Sequence, residues 1–340
     1  MKKLEGAVTI ICMRLALDLK RLRKAFCPPG VMAGIIKRFL SPMWFKNLVV
    51  YRLPADFPVK SDDLERKLAH HSLQTCGGLQ RESRGWICPH EDGLFLFQQR
   101  RQSLLAMGVE QKILPASVIR QEAETRAEDI ERRQGRPVGR KQMRELKDQV
   151  TDELLPRALS RRRTTYGWID AANGWLAVDA AVDAKAEQFM EVLRSTEDTI
   201  LAKRLETQRT PASAMAQWLI KGEAPGAFGI DQDLELRAAD ASKATVRYAR
   251  HNLDGKEIRE HIAGGKTVVR LGLTWNDKIS FVLTEFLQIK RLSFLDILKE
   301  DSGTEVEDKD EQFEIEFALM TGELALMLAD LVKALGGEKV

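Results

Sequence analysis

From Met43 onward the apolar positions recur in runs with a period of two or of three to four. Lys46–Leu53 (KNLVVYRL), rich in β-branched and aromatic residues, predicts a strand. Ser61–Leu73 places Leu64, Leu68 and Leu73 on one side of a helix with Ser61 as its N-cap. Leu94–Phe97 and Ser103–Met107 predict short strands. A long polar helix opens at Pro115 and ends near Arg133. The GRPVG at 135–139 then makes a turn, and a second polar helix runs from Arg140 to about Leu154, ahead of Pro156. Trp168–Ala172 and Trp175–Ala180 alternate around Asn173-Gly174, a strong β-hairpin signal. Helices follow at 183–195 and 211–220. Strands are expected at Val246–Arg250, Thr267–Leu273 and Ile279–Leu283, the last two joined by a tight WNDK turn. An amphipathic helix over Phe313–Leu335 meets its stop at Gly336-Gly337.

Helices and strands alternate irregularly and β-hairpins are present, so the pattern predicts an α+β fold rather than a doubly wound sheet. Four stretches are distinguished: an extension over 1–42, an α+β module over 43–115, a helical finger over 116–160 and further α+β structure over 161–340. The two polar helices of the finger offer only Ala123, Ala127, Ile130, Met143, Leu146 and Val150 as apolar positions. So narrow a seam can zip the pair together but cannot serve a core. A hairpin projecting from the body like an arm is the expected arrangement.

Charge changes this picture locally, not in bulk. The chain is 340 residues long, 30% charged and 44% apolar, with a formal net charge of +3. Residues 1–42 carry a balance of +7, which leaves −4 on the remainder. That extension is expected to be loosely ordered, or sequence upstream of a start at Met43, with an amphipathic membrane-surface helix as the alternative. Within the finger, Arg132, Arg133, Arg136, Arg140, Lys141 and Arg144 follow one another without an intervening acid. Arg157, Arg161, Arg162 and Arg163 form a second group at its C-terminal root. A fifteen-residue helix is about 22 Å long, so tip and root would mark the two ends of one arm, a line of cations suited to duplex phosphates. Arg126 and Lys147, with acids at nearby helical positions, are expected in ion pairs instead. Only 6% of residues are aromatic, which argues against base stacking and for sequence-independent contact with double-stranded DNA. Residues 296–316 carry ten acids against Lys299 and Lys309. Such a face would turn DNA away or meet the basic surface of another subunit.

Catalytic chemistry finds little support. Gly264-Gly265-Lys266-Thr267 resembles the end of a phosphate loop, but Glu260 stands where its first glycine belongs, and Val268, Val269 and Leu271 continue as strand. His70, His71, Cys76, Cys88 and His90 invite a zinc reading, yet Cys76 and Cys88 stand too far apart for a knuckle. GxSxG and HExxH are absent. No catalytic residue, metal or cofactor is therefore expected. Four cysteines without a CxxC pair suit a reducing cytoplasm, and no run of apolar residues is long enough to span a membrane. Two other readings stay open: a metal-dependent nuclease using scattered carboxylates, and an interaction module whose basic arm meets an acidic protein.

MWFKNLVVYRL (43–53), KILPASVI (112–119), LKDQVTDELLPRALSR (146–161), WID…NG…VD (168–179) and FALMTGELALML (317–328), in that order, resemble the bacterial RdgC family. The resemblance runs from Met43 to Gly337. It implies a ring-shaped α+β homodimer, closed through two different contacts, that encircles duplex DNA without sequence preference. It further implies antagonism of RecA-type recombinase, a part in replication-fork repair and association with the nucleoid. A finger that assists DNA loading corresponds to residues 116–155. Leu159 and the Arg250-His251 stretch fall where the family makes one subunit contact. This chain departs from the pattern at Leu159, where an aromatic is expected, in the extra charge of Arg161–Arg163, and over 74–93.

Overall fold

The computed structural model describes residues 44–54, 61–295 and 308–339. The expectations placed on residues 1–42 and on the acidic stretch 296–307 lie outside them. The first half contributes β1 (Leu48–Arg52), α1 (Ser61–His70), β2 (Glu82–Ile87), β3 (Leu96–Gln99), β4 (Gln102–Lys112), α2 (Ala116–Gln134) and α3 (Arg140–Leu154). After these come β5 (Ser160–Asp170), β6 (Trp175–Val178), α4 (Asp183–Thr196), β7 (Lys203–Arg204) and α5 (Pro211–Lys221). The chain then adds β8 (Phe228–Ala238), β9 (Thr245–Tyr248), α6 (Lys256–Ala263), β10 (Lys266–Trp275), β11 (Ile279–Thr284), β12 (Gln288–Phe294) and α7 (Lys309–Ala334).

Twelve strands form one continuous sheet in the order β2-β4-β5-β6-β1-β12-β11-β10-β8-β9, with β3 beside β4 and β7 beside β1. The strand pairings are antiparallel, which with segregated helices is the expected α+β class. β1 sits at the centre, between β6 and β12. Its sequence LVVYR is apolar at successive positions because both faces are covered. Leu48 and Val50 face a core built with α5 and α7, including Met215, Trp218, Phe317, Leu324 and Leu331. Val49 and Tyr51 face the opposite core, built with Leu64 and Leu68 of α1 and Phe189, Met190 and Leu193 of α4. Polar contacts fix α7 as well: Trp275 Nε1 donates to Asp330 at 2.9 Å and Lys278 Nζ to Glu323 at 2.7 Å.

One close approach sets a residue identity. A Cβ on Gly167 of β5 would lie 2.2 Å from the Phe189 ring, which packs edge-on to Trp86 with centroids 5.3 Å apart. Gly167→Ala is expected to lower unfolding free energy by about 1–3 kcal/mol, as overpacking of a filled core does. Urea unfolding of the variant beside the wild type measures it.

Several elements differ from the expectations. β4 and β5 are eleven-residue strands paired along their full length, from Gln102↔Asp170 to Lys112↔Ser160. α1 stops at His70, and Leu73 packs against Ile87 and Ala106 instead of continuing the helix. β9 ends at Tyr248, because Arg250 adopts a left-handed φ of 53°. β2, β7, β8, β12 and α6 were not expected. β8 reads FGIDQDLELRA, and register shifts opposite it, between Val268 and Arg270 and between Leu271 and Leu273, break the strict alternation that marks a strand.

Candidate nucleic-acid interface

The helices α2 and α3 are joined by five residues and share their own apolar cluster. Ala123, Ala127, Leu146 and Val150 are buried there, flanked by Ile119, Ile130, Val138, Met143 and Leu154. All of these belong to residues 119–154. Gly135 closes α2 in the left-handed region at φ 66°, and Glu131 Oε1 accepts the Val138 N–H at 2.6 Å, which fixes the turn. At the other end Arg126 forks onto both oxygens of Glu153, at 2.8 and 3.0 Å, and bonds Glu122 one turn back at 2.9 Å. That contact holds the Glu153 carboxyl below the usual carboxylate range. Arg126 is therefore an internal clasp of the pair, as its neighbouring acids suggested.

The cations expected at the tip divide into two kinds. Arg132 is ion-paired with Asp129 on the preceding turn. Arg133, Arg136, Arg140, Lys141 and Arg144 are exposed and have no carboxylate partner among the described residues. Their placement opposes helix stability. α3 begins with Arg140 and Lys141 and has no acid in its first turn, although the positive end of a helix dipole favours Asp or Glu there by about 0.3–1 kcal/mol. Cations, free helix N–H groups and the dipole consequently add at one spot, an arrangement that attracts anions.

The second group does not form as expected. Arg157 ends a short 3-10 turn, Leu155–Arg157, and is exposed. Arg161, Arg162 and Arg163 lie in β5, where successive side chains point to opposite faces. Arg162 pairs across the strand with Glu110, its Nε donating to Oε2 at 2.7 Å; the Glu110 side chain is only 7% exposed. Burial pushes the Glu110 carboxyl up, but the Arg162 guanidinium outweighs it and the group ends below its ordinary value. Arg162 thus neutralises a buried acid. Arg161 and Arg163, opposite Gln111 and Val109, share the other face. Strand geometry splits a run that a helical root would have kept together.

Leu159, immediately before β5, is 80% exposed, and its carbonyl accepts the Ile113 N–H at 2.7 Å. Arg250 and His251 lie beyond β9, where the Arg250 N–H donates to Asp233 Oδ1 at 3.4 Å and the His251 ring stands 5.4 Å from Tyr248. β5 and β9 are seven positions apart in the sheet, so one chain does not bring these residues together.

The phosphate-loop resemblance at Gly264–Thr267 is local only, since a helix precedes it and a strand follows, the reverse of the order required. His70 and His71 are exposed, Cys76 Sγ donates to the Glu110 carbonyl at 3.1 Å, and the His90 ring stands 4.1 Å from Phe313. Among the described residues no group of three or more His, Cys, Asp or Glu could hold a metal ion. None of the described helices is long and apolar enough to cross a membrane.

Comparison with known proteins places this geometry in context. The family model described as "Putative exonuclease, RdgC" matches residues 43–338. The recombination-associated protein RdgC of Herminiimonas arsenicoxydans is 49% identical over 297 residues, 87% of this chain and 99% of that protein. Its counterpart from Janthinobacterium sp. (strain Marseille) is 49% identical over 296 residues, with the same coverage of each chain. That of Dechloromonas aromatica (strain RCB) is 49% identical over 301 residues, 88% of this chain and 99% of the relative.

Proposed function

The chain belongs to the RdgC family, and on that premise we propose that it binds double-stranded DNA without sequence preference, as a homodimer that encircles the duplex and restrains RecA-type recombinase. The relatives' names tie them to recombination. The observation that carries DNA contact is the tip of the α2–α3 pair, where five exposed cations have no carboxylate partner among the described residues and two of them begin a helix that favours acids. An arm with its own apolar seam can stand off the body and present that tip to a phosphate backbone. In the dimer, Leu159 of one subunit would meet the Arg250-His251 loop of the other. A DNA clamp of this kind acts without catalysis, in the cytoplasm and on the nucleoid, and its role extends to fork repair.

A metal-dependent nuclease is the second reading, favoured by the family model's own description as an exonuclease. One experiment addresses both. Protein is bound to a closed circular duplex and to the same duplex linearised, then washed with rising salt, with and without magnesium. A ring is expected to stay on the circle at salt that lets it slide from a linear end. Simultaneous release from both forms would remove encirclement and leave a surface binder. Magnesium-dependent loss of DNA integrity would establish the nuclease. No binding to either form at physiological salt would turn the basic arm toward an acidic protein.

A further inference from the structure

A cavity of about 400 Å³ opens where the C-terminal ends of α5 and α7 meet the start of β8. Its volume lies near the lower end of the range of small-ligand sites, about 300–1,000 Å³, and suits one or two residues of a peptide. Trp218 and Phe228, both buried in the core, supply an apolar floor. Three cations line the same cavity: Arg209 just before α5, Lys221 in the last turn of α5 and Lys333 in the last turn of α7. All three are exposed, and none has a carboxylate partner among the described residues.

A lysine in a last turn also answers the helix dipole. The final carbonyls of α7 are already engaged, however: Leu331, Val332, Lys333 and Leu335 accept the N–H groups of Leu335, Gly337, Gly336 and Arg209. Arg209 belongs to neither helix. Its stem lies against Gly336, where an added Cβ would stand 3.4 Å from Cγ, and its Nη1 meets Gln217 Oε1 at 3.5 Å, a weak contact. The guanidinium fork is thus held over the cavity with capacity to take a carboxylate through two N–H groups. Two acids also line the cavity. Asp330 is occupied, because its Oδ2 accepts Trp275 Nε1 at 2.9 Å, and Glu223 is exposed on the loop after α5.

An occupant has to bring negative charge and an apolar side chain into one small space. The last residue of a peptide carries both on one Cα, and capture of a terminal carboxylate is a recurrent mode of peptide recognition. A nucleic-acid strand repeats its charge along its length, whereas these cations gather around a single cavity with an apolar floor.

The geometry points to this cavity as a docking site for the C-terminus of another protein, one that ends in an apolar residue with acids just before it. Arg209 takes the terminal carboxylate, Lys221 and Lys333 meet the preceding acids, and the last side chain rests on Trp218 and Phe228. None of the basic-tip residues takes part, so the site stands or falls apart from DNA binding. The probe is a fluorescein-labelled peptide, Gly-Ser-Asp-Asp-Gly-Phe with a free C-terminus, titrated with the full chain and read by anisotropy. Saturable binding at about 10–100 µM is expected. Amidating the terminus, or replacing its phenylalanine by serine, should each weaken binding about tenfold or more, and so should Arg209→Glu or Lys333→Glu, whose side chains are exposed. Glu223→Gln should tighten binding about threefold, since it removes an acid that repels the ligand. Duplex-DNA affinity should be the same in Lys333→Glu as in the wild type. No saturation by about 1 mM, or equal binding of the serine peptide, would overturn the proposal. A Lys333→Glu variant that lost duplex-DNA affinity in step with peptide affinity would assign these cations to phosphate and overturn it as well.

Discussion

Replacing Arg133, Arg136, Arg140 and Lys141 together by glutamate is expected to reduce duplex-DNA affinity by at least a hundredfold at physiological salt. Each cation that meets a phosphate releases counterion and adds about 0.9 to the slope of log affinity against log salt. Removing four such contacts should flatten that slope by roughly three to four, and the introduced acids add repulsion. The same substitutions are expected to leave stability unchanged or slightly higher. Arg140 and Lys141 begin α3, where an acid is favoured by about 0.3–1 kcal/mol. Binding and stability therefore move in opposite directions, which a variant that merely misfolds cannot reproduce. Arg132→Ala should matter least among the tip residues, since Asp129 already engages that side chain. Filter binding across a salt series, with a thermal melt of the same samples, provides both readings. Unchanged affinity and slope would remove the tip from the DNA contact while leaving family membership untouched.

Phe317→Ala is expected to cost about 3–5 kcal/mol of global stability. Its ring is fully buried and meets Phe97 edge-on, with centroids 5.2 Å apart, where α7 crosses the sheet. Neither the sheet nor a helix held by Trp275 and Lys278 can close readily into the space left behind. Val150→Ala offers the contrast. Val150 is also fully buried, but its cluster consists of residues 119–154 alone. Its loss, about 1–3 kcal/mol, should loosen α2 and α3 and leave the main transition where it was. Urea unfolding followed by tryptophan fluorescence reports the sheet cores, and limited proteolysis reports residues 116–154. If Val150→Ala shifted the main transition as far as Phe317→Ala, the helix pair would share the body's stability and would not be an independent arm.

What could be read beforehand follows from which signals are local. The paired polar helices and the cation run between them needed only periodicity, the GRPVG turn and charge sign, none of which depends on distant chain. β1 was legible because Leu48–Val50, on a strand covered on both faces, are apolar at successive positions. β8 was not, since half-buried Asp231, Asp233 and Glu235 interrupt its apolar pattern and bulges interrupt its pairing with β10. Arg161–Arg163 looked like one patch because the preceding helix suggested its own continuation. Yet Thr164–Asp170 leads into the Asn173-Gly174 turn, and that strand extends back to Ser160 opposite Lys112. Nothing near Arg162 in sequence announces Glu110, which reaches it only through the β4–β5 pairing.

The central place of β1 also bears on how the molecule is made. One edge of β1 pairs with β6 and the other with β7 and β12, where Leu48 meets Ile289, 241 positions later. A ribosome adding about 5–20 residues per second takes on the order of tens of seconds to deliver β12 after β1. During that interval β1 and β6 can join and β7 can cover Tyr51 and Arg52, but the Leu48–Val49 end of the far edge waits with unsatisfied backbone groups. Contacts so remote in sequence also make folding slow, because loop closure must precede their reward. The strand that unites the finished sheet is thus the one most exposed to wrong partners in the nascent chain. A cell producing this protein would be expected to shield Leu48 and Val49 with a chaperone until β12 emerges.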